Sequence, residues 1–373
     1  MEQIYSNYNI LYGDGSNIYG QLGLGDFKYN INNNILTKIL FNYSVKSVSC
    51  GDYHTIIIDG NNELWSFGYN KFGQLGLEDN NNKKIPTKIE FNYKVKSVSC
   101  GEFHTIIIDE NDELWGFGNN YHGQLGLGVG NNDSINIPTK IEFNYKVKSI
   151  SCGRNHTIII DENDYLWSFG DNRNGQLGLN YYLGSKYSNN RNIPIKIEFN
   201  YKVKSVSCGG AHTIIIDEND YLWSFGCNDT GQLGIKIGYY IDIYIPTKIA
   251  FNHKVKSVSC GNDHTIIIDE NDKLWAFGDK NYGQLGLGDI KYDIDIDIPT
   301  KIPFNYKVKS VSCGNIYTTI IDENNEIWSF GCNRDGQLGL GDTDNINIPT
   351  KIAFNDKVKS ISCGKQHTLI ILL

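Results

Sequence analysis

Gly20-Gln21-Leu22-Gly23-Leu24-Gly25 reads GQLGLG, and its recurrence decides the fold. Taken alone, it has the look of a glycine-rich loop that cradles phosphate. It lacks the Lys-Ser/Thr that completes such a loop, and it is not unique. Gly-Gln-Leu-Gly starts at Gly20, Gly73, Gly123, Gly175, Gly231, Gly283 and Gly336, at intervals of 53, 50, 52, 56, 52 and 53 residues. A near-fixed period of this size predicts a solenoid or a propeller.

Three further motifs keep the period. Ser-Cys-Gly ends at Gly51, Gly101, Gly153, Gly209, Gly261, Gly314 and Gly364. Leu/Ile-Trp-x-Phe-Gly carries Trp65, Trp115, Trp167, Trp223, Trp275 and Trp328. An Ile-Pro pair contributes Pro86, Pro138, Pro194, Pro246, Pro299 and Pro349. One unit reads as four strands. They are Lys94 to Cys100, the β-branched run His104 to Ile108, its hairpin partner Glu113 to Phe117, and Ile137 to Phe143. Pro138 suits an outer edge strand, where its missing N–H breaks no ladder bond. No helical period is visible. Leu11 to Gly15 aligns with Leu-Trp-x-Phe-Gly, and the last residues, from His367, stop two strands into a unit. Each fragment supplies what the other lacks. The expectation is an all-β, seven-bladed β-propeller of four-stranded blades over residues 1–373. Repeats run about 50–56 residues, and the N- and C-terminal strands close the ring.

Ser-Cys-Gly-x-x-His-Thr and Leu-Trp-x-Phe-Gly-x-Asn-x-x-Gly-Gln-Leu-Gly resemble the repeats of the regulator of chromosome condensation family, in seven copies across essentially the whole chain. WD and kelch repeats fit less well in period and motif. The resemblance implies one of two roles: a non-catalytic protein-interaction propeller, or guanine-nucleotide exchange on a Ran-type small GTPase. The Trp that follows Cys-Gly in this family's ultraviolet-B photoreceptor is replaced here by Asp52, Glu102, Arg154, Gly210, Asn262, Asn315 and Lys365. Photoreception of that kind is not expected.

Composition narrows the classes further. The 373 residues are 40% hydrophobic and carry a formal charge of -8, which argues against a direct nucleic-acid binder. The longest basic run is Lys83-Lys84. No signal peptide or membrane-length apolar run is visible, so the nine cysteines read as reduced thiols of an intracellular, cytoplasmic or nuclear protein. The Asn-x-Ser/Thr sites at Asn42, Asn132, Asn155 and Asn228 then read as chance.

Cys-Gly-x-x-His recurs six times, with Tyr317 replacing His in the seventh copy. Two ligands per blade fall short of the four a structural zinc needs. Neither metal nor cofactor is expected. The Cys is read as a small buried hydrophobe and the His as bonded to backbone. Asp-Glu-Asn-Asp, at Asp109 and its equivalents, reads as a solvated hairpin turn, and the tryptophans as fully buried core. Asn70 and its equivalents are expected to serve a left-handed backbone. No catalytic triad or carboxylate pair stands out, so no enzyme is expected.

With the frame nearly constant, function is sought where blades differ: in the pair after Cys-Gly, and between Phe-Gly and Gly-Gln. These positions contribute Tyr53, Glu102, Phe103, Arg154 and Asp263, and Phe72, Tyr121, His122, Arg173, Tyr282 and Arg334. They are the candidate partner-binding face of a monomer. The insertions Asn180 to Asn192 and Ile235 to Tyr244 show no hairpin wedge of the kind the exchange reading implies.

Overall fold

A computed structural model describes residues 10–25, 32–128, 134–180, 190–236, 241–289 and 295–373. Asn132, and the insertion residues 181–189 and 237–240, lie outside the described residues. The described chain forms 28 strands in seven four-stranded antiparallel sheets, a seven-bladed propeller without helix among those residues. Blade 2 is representative: Val95–Cys100, His104–Asp109, Leu114–Gly118 and Ile135–Lys140 run in that order from the axis outward. The expected last strand, Ile137 to Phe143, lies two to three residues earlier. Phe143 itself leaves the sheet to pack its ring against Trp167 of the next blade, centroids 5.1 Å apart.

Burial explains the strand sequences. His104–Asp109 is buried at every position because both faces of the blade are covered by neighbours, so its apolar residues run on without alternation. The outer strand is an exposed edge, with Ile137 45% accessible. Pro138 falls inside a register shift there, a combination that blunts edge-to-edge pairing. No helix among the described residues is long and apolar enough to cross a membrane.

The ring closes within one sheet. Leu11–Gly15 pairs with His367–Leu372 on one side and with Asn33–Ile39 on the other, and Val358–Cys363 completes the blade.

Blades are stapled by two rings of hydrogen bonds around the axis. At each Ser-Cys-Gly, the Cys N–H donates to the Ser Oγ of the preceding blade at 2.9–3.1 Å. The thiol donates to the same serine's carbonyl at 3.3–3.4 Å. One step outward, His54, His104, His156, His212, His264 and His367 each place Nε2 3.0–3.2 Å from a Thr Oγ1 of the next blade. The histidine thus bonds to a side chain one blade away, not to local backbone as expected. The threonine proton is used on the carbonyl of a Gly-Gln-Leu-Gly glutamine, as in Thr105 to Gln74 at 3.0 Å. The imidazole must therefore donate from Nε2, leaving a bare, buried Nδ1. Each imidazole lies so close to the Cys-Gly glycine that a Cβ on Gly101 would sit 2.1 Å from His104 Cε1.

Two other expectations change. The fully buried aromatic of Leu-Trp-x-Phe-Gly is the phenylalanine; Phe117 is fully buried while the tryptophans are only partly buried at the edge of the core. Each tryptophan instead donates Nε1–H to the first Asp of the preceding hairpin at 2.9–3.1 Å. That Asp is not solvated. Asp109 is buried and also accepts the N–H groups of Asn111 and Glu113. The left-handed residue is the fourth of the turn, such as Asp112 with φ 63°. Asn70 and its equivalents do not take that conformation. Asn70 Oδ1 caps the Leu75 N–H at 2.9 Å, fixing the Gly-Gln-Leu-Gly loop so that Leu75 is buried. Gly76 has φ +68° and its Cβ would press on the Phe117 ring at 3.0 Å, so the fourth residue of that loop must be glycine.

Candidate functional site

Strand direction places the Cys-Gly-x-x turns and the Phe-Gly to Gly-Gln loops at the same end of every blade. All eleven candidate residues therefore share one face, around the mouth of the axial channel. The first residue after each Cys-Gly lines a cavity of about 280 Å³ on the axis.

The unlike residues sort by sector. Across blades 7, 1 and 2 they form a continuous aromatic arc. Tyr19 meets Tyr69 and Tyr53 at 4.7 and 5.4 Å, Tyr53 stacks on Phe103 at 5.9 Å, and Phe72 joins Phe103 at 5.0 Å and Tyr121 at 6.5 Å. Tyr121 is half-exposed at the outer end. The Lys365 ammonium lies 4.9 Å over the Tyr53 ring and 3.5 Å from Asp52. Burial raises the Asp52 carboxyl to about 6, against the pull of Lys365.

Next comes a sector of ion pairs. Arg154 grips Glu102 with Nε at 2.7 Å and a second nitrogen at 3.3 Å, so the buried carboxylate is satisfied by an exposed guanidinium. Arg173 clasps Asp171 within its own loop at 2.7 Å. His122, its pKa lowered by burial, lies in the field of Asp171, Arg173 and Glu102. Blades 4 and 5 then gather Asp229, Asp242, Asp263, Asp279 and Asp295. Burial first, and neighbouring carboxylates after it, raise Asp263 and Asp295. Asp263 itself accepts from Asn262. Tyr282 and Arg334 form a separate cation–π pair at 5.2 Å between blades 5 and 6.

Tyr19 and Tyr69 were missed in the sequence. Tyr19 precedes Gly20 as Phe72 precedes Gly73, and Tyr69 directly follows Phe67-Gly68, so the stretch between Phe-Gly and Gly-Gln already contained both signals. Also missed was Cys227, which with Asp229 and Asp242 places three donor atoms within 4.8 Å, one short of a structural zinc shell. The seven Ser-Cys-Gly thiols are poor nucleophiles: burial pushes Cys50, Cys152 and Cys260 up to about 12.

Comparison with known proteins agrees with the fold. The sequence profile of the RCC1-like domain matches residues 8–370. The ultraviolet-B receptor UVR8 of Arabidopsis thaliana is 31% identical over 89% of this chain and 63% of its own length. The human X-linked retinitis pigmentosa GTPase regulator is 31% identical over 79% of this chain and 28% of its own. The chain thus spans less than two thirds of these relatives. Prp20p of Saccharomyces cerevisiae, described with its binding to Gsp1p and histones, superposes with a TM-score of 0.89 at 22% identity, over 99% of this chain and 92% of that one.

Proposed function

The chain belongs to the family of RCC1-like domains, and from that premise and its loop face we propose that it is a non-catalytic protein-interaction propeller of the cell interior. The observation that carries the reading is the aromatic arc Tyr19–Tyr53–Tyr69–Phe72–Phe103–Tyr121. These rings stand at positions the fold leaves free, in a frame otherwise nearly constant. Rigid aromatic and Arg side chains in one patch are the residue types that anchor partners. Tyr53, Phe72, Phe103 and Tyr121 are assigned as apolar anchors. Glu102, Arg154, Arg173, His122, Tyr282, Arg334 and Asp263 are assigned as the polar surround that sets orientation. Capture of partners from lysate by the intact chain tests this. Tyr121→Ala with Phe72→Ala should lose bound protein at unchanged melting temperature, and equal capture would overturn the face assignment.

A second reading, nucleotide exchange on a Ran-type GTPase, is favoured by one feature: the aspartates of blades 4 and 5 on the same face. Prp20p, with its described binding to Gsp1p, has the same fold. Acceleration of nucleotide release by the wild type, reduced by Asp263→Ala, would support exchange; no acceleration removes it.

A further inference from the structure

On the opposite face blades 1, 2, 3, 4 and 6 repeat a small electrostatic device. The residue after the left-handed hairpin position stands between two lysines, one from the outer strand and one from the next connection. In blade 1 Glu63 bridges Lys88 at 2.7 Å and Lys94 at 3.1 Å. In blade 6 Glu326 bridges Lys351 at 2.6 Å and Lys357 at 3.4 Å. In blade 2 Glu113 holds Lys140 at 2.9 Å. Blades 3 and 4 substitute a ring: Lys196 and Lys202 lie 3.7 and 3.6 Å over Tyr165, and Lys248 and Lys254 both 3.6 Å over Tyr221. In blades 1, 3, 4 and 6 two ammonium groups thus converge on one side chain, whereas in blade 2 the second lysine, Lys146, donates to the Asn111 carbonyl.

Blade 5 breaks the device. The central residue is Lys273, and Lys301 and Lys307 occupy the repeat positions of the two flanking lysines. A second acid is missing as well: Glu90, Glu142 and Glu198 of blades 1 to 3 become Pro303. No carboxylate pairs with any of the three lysines among the described residues. The nearby acids are engaged elsewhere. Asp272 holds Lys256 at 2.5 Å, Glu270 faces His253 at 3.7 Å, and Asp269 accepts Trp275. Glu323 meets only the Lys307 backbone N–H, as its equivalents do in other blades. At the vacated position lies an open cavity of about 420 Å³, lined by Lys273, Lys301, Ile302, Pro303, Phe304 and Asn305.

We propose that this cavity binds a phosphate group, whose oxygens replace the absent glutamate beside Lys273 and Lys301, with Lys307, outside the lining, adding its charge from the position of Lys94 and Lys357. Three unpaired ammonium groups in a chain of net charge -8 match a dianion better than a monocarboxylate. The inference is independent of the loop face.

Lysine side-chain chemical shifts of the intact chain, followed at low ionic strength, test it. One arm adds inorganic phosphate; the other adds a phosphoserine peptide beside its unphosphorylated twin. Saturation at one site per chain in either arm, with Lys273, Lys301 and Lys307 shifting together, is the expected result. A peptide bound tenfold tighter than inorganic phosphate assigns the group to a modified protein, and the reverse assigns it to a free anion. Lys273→Glu rebuilds the bridge of blades 1 and 6, so it should fold with a raised melting temperature and bind at least tenfold more weakly. Glu326→Lys, in a blade with Ala353 at the second acid position, should create a second site. No saturation in either arm, or binding by Lys273→Glu within twofold of wild type, would overturn the proposal.

Discussion

At the scale of single residues, the closing blade departs from its own repeat in a coordinated way. Asp14 occupies the position of the buried Phe, and in blade 6 Tyr317 replaces the stapling His and Thr319 an Ile. In other blades that Phe ring packs on the fourth glycine of the Gly-Gln-Leu-Gly loop. Here a Cβ on the equivalent Gly339 would lie 2.5 Å from Asp14 Oδ2. Tyr317 reaches further than a histidine, donating to the His367 carbonyl at 2.6 Å and standing 3.1 Å from the Thr368 hydroxyl. The Asp14 carboxyl is fully buried and its oxygens lack a well-formed hydrogen bond. Burial raises its pKa well above the ordinary range, and the Thr368 hydroxyl lowers it by less. A carboxyl that keeps its proton in the folded state and releases it above about pH 3.9 when unfolded destabilises the fold increasingly as pH rises. Asp14→Asn should therefore stabilise the protein by about 1–3 kcal/mol at pH 8, and the gain should not grow as pH falls towards 6.5, above the range where the histidines unfold the chain. Chemical denaturation at both pH values reads this directly. A variant no more stable than wild type at pH 8 would contradict the assignment.

At the scale of elements, the histidine ring makes the opposite demand, and by number it wins. Burial lowers His54, His104, His212, His264 and His367 to about 3 and His156 to about 4. The unfolded chain takes up protons below about 6.5 that these imidazoles refuse, so stability is lost as pH falls from 6.5. Each unit costs about 1.4 kcal/mol per histidine, roughly 8 kcal/mol for six, comparable to a whole domain's stability. The propeller should unfold cooperatively between about pH 6 and 5. His104→Gln, which takes up no proton, should reduce the steepness of that loss by about one sixth while lowering stability at pH 8. Circular dichroism melts across this range check both, and a fold that persists at pH 4 would refute the tautomer and burial argument together. The hairpins admit a local test. Asp109→Ala leaves the Trp115 indole and two backbone N–H groups without their acceptor, and should cost about 3 kcal/mol with a shift in tryptophan emission. That Asp shows where sequence reading stopped. Leu-Trp-x-Phe-Gly alternates, but which aromatic is covered depends on the next blade, and the partner of each His or Cys lies one full period away. Local patterns identified the strands; the staples required the period to be read as contact.

At the scale of the molecule, ring closure was legible because Leu11 to Gly15 and the strand from His367 are complementary fragments of one repeat. The division of the loop face into aromatic, ion-paired and acidic sectors was not, since it follows from the angular order of blades rather than from any one motif. Closure also determines how the fold fails. His367–Leu372 is the internal strand that joins Leu11–Gly15 to Val358–Cys363, so its removal unpairs both. The same cut deletes the His367 imidazole that reaches Thr55 at 3.2 Å and the carbonyl that accepts Tyr317. Blades 6 and 1 would then each expose an uncovered apolar face. Deleting 367–373 should therefore abolish the single cooperative melt, or lower it by more than about 10 °C. Covalently joining Leu373 to Ile10 should act in the other direction, restricting the unfolded chain and adding about 2–4 kcal/mol, as a cross-link over a long loop does. Calorimetry on the three forms separates the outcomes. If the deleted form melts where the intact chain does, the terminal strands do not hold the ring. If only the joined form moves, closure limits the unfolded ensemble more than it supports the native sheet.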